Sequence, residues 1–342
     1  MDPITQGALG AALPQATASP HKSTIALAGI FGFFAGMAAD LDLLIRSDSD
    51  PLLFLEYHRQ FTHSLFFIPL GGLLSAGVLQ LLIGRLSRPA RLPFSRVFLF
   101  CTLGYGTHGL LDFTTSYGTM LFWPLSEERY SASIISVVDP VMTLPVLLLV
   151  IVAAAKQSPV YARCGVAWAV LYLTLGFIQH SAAREMAEGI AAGRGHRPEH
   201  LIVKPSFGNI LVWKTVYQTN NRFYVDAVRV GVAPMVHPGV SIARLNAARD
   251  FPWLKPGSQE YKDLARFDRI SLGYLARNPD ALNEVIDVRY SFLPNTVGAL
   301  WSVKLNPGSG PDQHVRFQTN RPDTRENMAM LWRLITAEQK RP

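Results

Sequence analysis

The chain has 342 residues, of which 49% are hydrophobic and 17% charged, and its mean hydropathy of +0.17 lies between the values of a soluble enzyme and a pure transporter. Its net charge of +7 arises entirely beyond Arg163, because the chain up to that residue holds ten basic and ten acidic side chains. Cys101 and Cys164 lie far apart inside apolar segments, which argues against a disulfide framework or a structural zinc site. We therefore expect a protein that is part membrane and part soluble.

Apolar segments dominate the first half of the chain. Ile4 to Ala18 is preceded by no basic residue, unlike a secretory signal, so we expect it to be retained as a short span or, alternatively, an interfacial helix. Leu65 to Gly84 is twenty residues without a charge, which is enough for one bilayer crossing. Four comparable segments contain, or end near, an acid or a histidine: Ser23 to Leu44, Val97 to Asp112, Ala132 to Ala155 and Cys164 to His180. The sequence thus predicts five spans, or six with the first segment.

Basic residues in the short loops predict the orientation of these spans. The loops Arg85 to Arg96 and Lys156 to Arg163, together with Lys22, carry seven basic residues. The opposite loops, Ile45 to Thr62 and Phe113 to Ser131, carry three. Since short cytoplasmic loops are enriched in Lys and Arg, the arginine-rich side is predicted to be cytoplasmic.

With this topology, seven ionisable side chains at the borders of apolar segments reach the outer face: Asp40, Asp42, His58, His63, His108, Asp112 and Asp139. Ionisable groups beside lipid are costly and by default mark a functional site. His108 and Asp112 are spaced i, i+4, so both lie on one helical face, where an imidazole and a carboxylate can bind a divalent metal. His58 and His63 would add nitrogen ligands, and Asp40 and Asp42 oxygen ligands.

This donor set predicts a hydrolytic metal site. Mixed histidine and carboxylate ligands suit Zn, Mn or Fe, and we expect one or two ions. Such an ion lowers the pKa of bound water to about 7 and polarises an ester or phosphoryl oxygen. Arg59 could hold a substrate anion, and whichever of Asp40, Asp42 or Asp139 does not bind the metal could act as general acid or base. Asp139 precedes Pro140, however, so a helix N-cap explains it equally well.

No nucleophile motif competes with this interpretation, since the sequence contains no GxSxG, P-loop, Rossmann GxGxxG or HExxH pattern. Two other functions would use the same residues. One is a non-enzymatic membrane protein in which the polar or metal cluster stabilises the bundle and the tail recruits an envelope partner. The other is an ion or proton transporter, which would call for charges near the bilayer midplane and repeated halves, neither of which the sequence indicates.

Beyond the last span the pattern becomes that of a soluble domain. We predict a membrane domain over 1–182, a linker over 183–199 and a small α+β domain over 200–342. The predicted strands, which alternate apolar and polar residues, are Ile210 to Tyr217, Arg222 to Val232, Glu284 to Ser291 and Ala299 to Leu305. The predicted amphipathic helices are Tyr261 to Arg277 and Thr324 to Ala337. The basic residues of this domain could attract anionic lipid headgroups or a phosphorylated substrate, or they could simply form a solvated surface. Because no nucleic-acid-binding motif accompanies them, we expect no nucleic-acid partner.

The sequence resembles the YdjM-like family of membrane-bound metal-dependent hydrolases. The matching motifs are MDPITQGALGAA, GMAADLDLL, HRQFTHS, GYGTHGLLDFTTSYGTMLFWPLS and SVVDP, with a weaker match at KPSFGNILVWKTV. The resemblance implies a multi-pass helical domain in the bacterial inner membrane and a metal-dependent hydrolase site made from the Asp and His residues of these motifs. Gln6 stands where many members of the family have histidine, which implies a weaker ligand at that position. By topology the tail is predicted to be periplasmic, and the expected substrate is a membrane lipid or another envelope-derived ester or phosphoester.

Overall fold

The structure is a computed structural model that describes residues 1–19, 24–83, 92–320 and 324–336. It divides into two compact units. The first comprises Met1–Ile45, Tyr57–Ile178 and Phe207–Asn209, and the second comprises Arg46–Glu56, Gln179–Ser206 and Ile210–Pro342. Lys22 and most of the predicted arginine-rich loop lie outside the described residues.

In the described part of the chain before residue 194, the α-helices are α1 Pro3–Thr17, α2 Thr24–Met37, α3 Leu53–Tyr57, α4 Ile68–Ile83, α5 Phe94–Thr114, α6 Pro140–Lys156 and α7 Pro159–Gly193. A 3-10 helix over Ala38–Leu44 follows α2, and two shorter ones cover Phe61–His63 and Leu65–Phe67. Helix α1 begins after Asp2, whose carboxylate accepts the backbone N–H groups of Ile4 and Thr5. An N-cap carboxylate followed by proline is a standard helix start.

Three helical segments of the described chain are long and apolar enough to cross a membrane: Thr24–Leu44, Leu65–Ile83 and Pro159–Gly193. Pro140–Lys156 is apolar but shorter. Helix α4 buries only Gly71, Gly72 and Ala76 within the unit and exposes its leucines, Leu74 by 57% and Leu81 by 62%. An apolar helix that exposes such a surface is suited to lipid rather than to water.

Helices α1, α2 and α5 of the first unit pack closely through glycines. A Cβ atom at Gly32 would lie 2.2 Å from the carbonyl oxygen of Gly10, and one at Gly104 would lie 2.5 Å from that of Gly32. Small residues permit this backbone approach between membrane helices. The contact brings the C-terminal half of α5 beside α1 and the end of α2, where several predicted site residues lie.

The second unit contains two four-stranded antiparallel sheets, with strand orders β1-β2-β3-β4 and β5-β6-β7-β8. The strands are β1 His200–Pro205, β2 Val212–Thr219, β3 Arg222–Arg229, β4 Met235–Ala243, β5 Leu275–Arg277, β6 Glu284–Asp287, β7 Trp301–Lys304 and β8 Arg316–Thr319. The helices are α8 Ala247–Asp250, α9 Gln259–Ile270 and α10 Thr324–Thr336. Residues of both sheets, among them Val216, Phe223 and Ile286, share one buried cluster.

A second buried cluster of this unit includes Leu52 and Leu55, which precede most of the membrane segments in sequence. Their segment is also held by Arg266 of α9, whose guanidinium bonds to Asp50 at 2.9 Å and to Glu56 at 2.8 Å. Residues 46–56 therefore belong structurally with the C-terminal sheets.

The secondary structure confirms four predicted strands with shifted bounds, and four more, β1, β4, β5 and β8, were not predicted. The predicted helix from Tyr261 to Arg277 is too long. It ends at Ile270, where Leu272 and Gly273 adopt positive φ angles of 52° and 78°, and Leu275–Arg277 forms β5. Two consecutive left-handed residues stop a right-handed helix. The apolar segment from Ala132 likewise becomes helical only at Pro140.

Candidate metal centre

Four of the predicted ligands converge in the first unit to form what we term the central cluster: Asp40, His63, His108 and Asp112. Asp40 lies on the 3-10 helix over Ala38–Leu44, His63 in the segment before α4, and His108 and Asp112 on α5. Their ligand atoms all lie within 4.8 Å of one another.

In the central cluster, the Nε2 atoms of His63 and His108 each lie close to both carboxylates. Asp40 Oδ1 is 3.4 Å from His63 Nε2 and 3.3 Å from His108 Nε2. Asp112 Oδ2 is 3.3 Å and 3.7 Å from the same two nitrogens. In a tetrahedral site with metal–ligand distances of about 2.0–2.1 Å, neighbouring ligand atoms are roughly 3.3–3.4 Å apart. Three of the four distances match this spacing and the fourth is longer, so the four ligand atoms are close enough to share a single ion.

Both imidazoles are oriented through their other nitrogen. His108 Nδ1 donates to the carbonyl oxygen of Gly36 at 2.5 Å, and His63 Nδ1 lies 3.2 Å from Asp42 Oδ2. This turns both Nε2 atoms toward Asp40 and Asp112. A carbonyl or carboxylate behind the distal ring nitrogen is the usual support of a metal-bound histidine.

Several buried atoms of the central cluster have no hydrogen-bond partner in the described structure, namely His63 Nε2, His108 Nε2 and Asp112 Oδ2. All three belong to fully buried side chains. Buried polar atoms are nearly always satisfied. Asp112 Oδ2 has Arg59 Nε at 2.9 Å as an ion-pair partner, whereas the two imidazole nitrogens face the carboxylate oxygens without a hydrogen bond, so a proton or a cation is needed between them. A divalent cation would satisfy two imidazole lone pairs and a carboxylate oxygen together, so the residues fit the implied metal.

The charges around the central cluster also favour a cation. Arg59 Nε lies 2.9 Å from Asp112 Oδ2, and the α-amino group of Met1 pairs with Asp112 Oδ1. Burial alone would lower the pKa of His63, but Asp112, Asp40 and Asp42 raise it to about 10. In the absence of an ion, this imidazole thus takes up a proton, because the three carboxylates require positive charge.

Asp42 and His58 form a second polar group that shares His63 with the central cluster. His58 Nδ1 lies 2.9 Å from Asp42 Oδ1, and Thr62 Oγ1 donates to Asp42 Oδ2 at 2.8 Å. Burial lowers the pKa of His58, against the raising effect of Asp42. The His58 side chain remains 17% exposed, whereas that of His63 is fully buried. Asp42 therefore lies behind two imidazoles and reaches the central cluster through His63.

Arg59 lies beside the central cluster, but its guanidinium is buried and paired. Besides Asp112 it contacts Thr115, whose Oγ1 accepts from Arg59 Nη1 at 2.9 Å. The residue has a positive φ of 62°, and its backbone N–H donates to Asp42 Oδ2 at 3.0 Å. One residue thus ties together the carboxylates of Asp42 and Asp112.

Asp139 is not part of either group of candidate ligands. Its carboxylate caps α6 by accepting from the backbone of Val141 and Met142, and both its oxygens accept from the hydroxyl of Tyr172 at 3.0 Å. Of the two interpretations that the sequence left open for Asp139, the structure shows the N-cap.

The sequence analysis did not predict two polar contacts of Asp112. Gln6, where many family members have histidine, donates from Nε2 to Asp112 Oδ1 at 2.9 Å. Gln6 is therefore placed to support a ligand rather than to replace one. The contact of the Met1 amine with Asp112 was not predicted from the sequence.

Comparison with known proteins gives one result for this chain. A family model described as YdjM inner membrane protein matches residues 1–183, which include every residue of the central cluster. No curated protein and no solved structure matches the chain significantly.

Proposed function

The chain belongs to the YdjM family of inner membrane proteins, and on that premise we propose that its central cluster binds one divalent metal ion and hydrolyses an ester or phosphoester at the outer membrane surface. The observation that carries this proposal is the convergence of Asp40, His63, His108 and Asp112, whose ligand atoms lie within 4.8 Å of one another, with both imidazole Nε2 atoms buried and without hydrogen bonds in the described structure. Two nitrogen and two oxygen ligands suit the Zn, Mn and Fe class, and a set of four protein ligands is typical of zinc.

The residues around the central cluster have separate roles in this proposal. When bound, the ion would activate water and polarise the scissile oxygen. Arg59 neutralises Asp112 and fixes its position, rather than binding substrate. Asp42 orients His63 and His58 instead of ligating a second ion. His58, the most exposed imidazole of the group, holds its Nδ1 toward Asp42 and exchanges a proton with substrate through Nε2.

Elemental analysis of the purified full-length protein tests the metal. We expect about one zinc, manganese or iron per chain, lost in His63→Ala and in Asp112→Ala. Asp139→Asn is the matched control, since it changes a buried carboxylate outside the central cluster and should keep the metal. A wild-type protein that contains no metal, and binds none on titration with Zn²⁺, would refute the proposal.

Turnover separates the enzyme from its alternatives. We expect hydrolysis of p-nitrophenyl phosphate esters or p-nitrophenyl acetate by the metal-loaded protein and none by His63→Ala. Stoichiometric metal without hydrolysis of either ester would favour the non-enzymatic membrane protein, in which the cluster stabilises the bundle. Metal-dependent ion flux in proteoliposomes would favour the transporter.

We also propose five or six spans with the second unit in the periplasm, as the basic residues of the short loops indicate. Reporter fusions at Arg91 and at the C-terminus test this orientation. A cytoplasmic signal at Arg91 and a periplasmic one at the C-terminus are expected, and the reverse would place the site on the cytoplasmic face.

A further inference from the structure

Next to the central cluster, the aromatic ring of Tyr117 lies close to two guanidinium groups. The Cζ atom of Arg59 is 5.2 Å from the centroid of the Tyr117 ring, and that of Arg129 is 5.6 Å from it. The ring of His58 is 5.9 Å from the same centroid. Guanidinium groups within about 6 Å of an aromatic centroid are attracted to it, so Tyr117 fixes both arginines near His58.

The two arginines differ in what they can contact. Arg59 is buried, and its guanidinium is paired with Asp112 and Thr115 inside the unit. Arg129 is partly exposed, and its Nη1 donates to the carbonyl oxygen of His58 at 3.0 Å. Arg129 therefore carries its positive charge at the accessible side of the site, beside the most exposed imidazole.

Apolar side chains are exposed on the segments that carry these groups. Leu41 and Leu44, which lie on the same 3-10 helix as Asp40 and Asp42, are 62% and 77% exposed. Leu125, in the segment that leads to Arg129, is 78% exposed. In an inner membrane protein, large apolar side chains beside a polar site mark a surface that meets lipid.

We infer that Arg129 is a specificity-determining residue that binds the phosphate of a lipid substrate, with the acyl chains lying along the exposed leucines. This inference rests on the proposed function, because it names the substrate class of the same site. The planar guanidinium suits phosphate, to which it donates two parallel hydrogen bonds. The cation–π contact with Tyr117 and the bond to His58 limit the number of conformations that Arg129 must give up on binding.

The test is binding of dihexanoyl phosphatidic acid to the full-length protein in detergent, measured by isothermal titration calorimetry. We expect Arg129→Gln to weaken binding at least about tenfold, as loss of a charge-assisted hydrogen bond to phosphate does. Arg129→Lys, which keeps the positive charge but cannot donate two parallel hydrogen bonds, should lose part of this affinity. Metal content should be unchanged in both variants, because Arg129 is not one of the four side chains that form the central cluster.

Arg163→Gln is the matched control. Arg163 donates to the carbonyl oxygen of Ala16 near the end of α1, whereas the start of that helix lies at the site. A helix of 15 residues separates these ends by about 22 Å. The control variant should therefore bind the lipid as wild type does.

Each other result has a defined meaning. Equal affinity of wild type and Arg129→Gln for the phosphatidic acid would overturn the inference. Equal affinity of the wild type for inorganic phosphate and for the phosphatidic acid would overturn its lipid part. Binding of dihexanoyl glycerol as tightly as of the phosphatidic acid would show that phosphate is not recognised. Arg129-dependent lipid binding in a protein without metal would support the inference while refuting the proposed hydrolase.

Discussion

Substitution of Gly109 by alanine should displace His63, a proposed metal ligand, without changing any side chain of the central cluster. Gly109 lies on α5 between His108 and Asp112, and a Cβ atom there would be 2.3 Å from the carbonyl oxygen of His63. Ordinary contacts of this kind are 3.4–4 Å, so the oxygen must retreat by about 1.1 Å. Because the obstacle is backbone, His63 has to move as a whole.

The magnitude follows from the geometry of the central cluster. Metal–ligand distances tolerate deviations of only about 0.2 Å, several times less than the required displacement. Loss of an outer-shell partner alone lowers metal affinity about 10–100-fold, and displacement of His63 itself should cost at least as much. Two effects on the free energy of unfolding partly cancel. Alanine is more favourable than glycine inside a helix by about 0.5–1 kcal/mol, whereas the added Cβ atom overpacks the contact at a cost of about 1–3 kcal/mol.

The assay is a zinc affinity measured by chelator competition, alongside a thermal unfolding curve. Gly77→Ala is the matched control, because a Cβ atom at Gly77 of α4 meets nothing within 4 Å. We expect wild-type zinc affinity in Gly77→Ala and a loss of at least about 100-fold in Gly109→Ala. Wild-type affinity in Gly109→Ala would refute the assignment of His63 as a ligand, and equal losses in both variants would refute the argument from close packing.

Three further outcomes are expected. Asp42→Asn should weaken zinc binding about 10–100-fold, because an amide supports His63 less well than a carboxylate, and unchanged affinity would show that Asp42 does not orient it. Tyr172→Phe removes a hydrogen-bond donor from buried Asp139, so it should lower the free energy of unfolding, measured in denaturant, by about 1–3 kcal/mol. Zinc affinity should stay constant, and loss of zinc would show that Asp139 belongs to the metal site. Burial holds the pKa of Lys214 well below its usual range. The unfolded chain, in which this pKa is normal, therefore binds more protons than the folded protein, and the free energy of unfolding of the wild type should rise with pH toward about 10. Lys214→Met should reduce that slope in pH-dependent denaturant titrations, and equal slopes would contradict the reasoning.

The part of the site that the sequence predicts best is the part that one helix determines. His108 and Asp112 were expected on a shared face, and their Nε2 and Oδ2 atoms are 3.7 Å apart. The helical repeat alone ensures this proximity. Whether these side chains contact His63 and Asp40 depends on how separate segments of the chain pack. The periodicity of one helix does not predict that packing.

The sequence could not predict that the Arg59 side chain points toward Asp112. A non-glycine residue with a φ of 62° is uncommon, and this conformation is imposed by the contacts of Arg59 with Asp42 and Asp112. Asp139 shows the opposite case. Its position before Pro140 did indicate a helix cap, but the partner that completes its environment, Tyr172, is remote in sequence and leaves no local signal.

In the second unit, the unpredicted strands are those with the weakest sequence patterns. β4 contains Pro238 and Gly239, and β5 has three residues. Proline and glycine are unfavourable inside strands, and a three-residue strand is too short to show alternation. The inclusion of residues 46–56 in this unit also escaped prediction, because Leu52 and Leu55 reach a core whose other members follow much later in the chain.

The glycine contacts among α1, α2 and α5 impose an order on biogenesis. During synthesis α1 and α2 emerge first and can pair, but Gly104 of α5 reaches Gly32 only after α4 has been made. Until then Asp40 stands at the end of its span without His108. Any ion must therefore be acquired late in assembly, and a chain arrested before α5 would expose an incomplete set of carboxylates at the membrane edge.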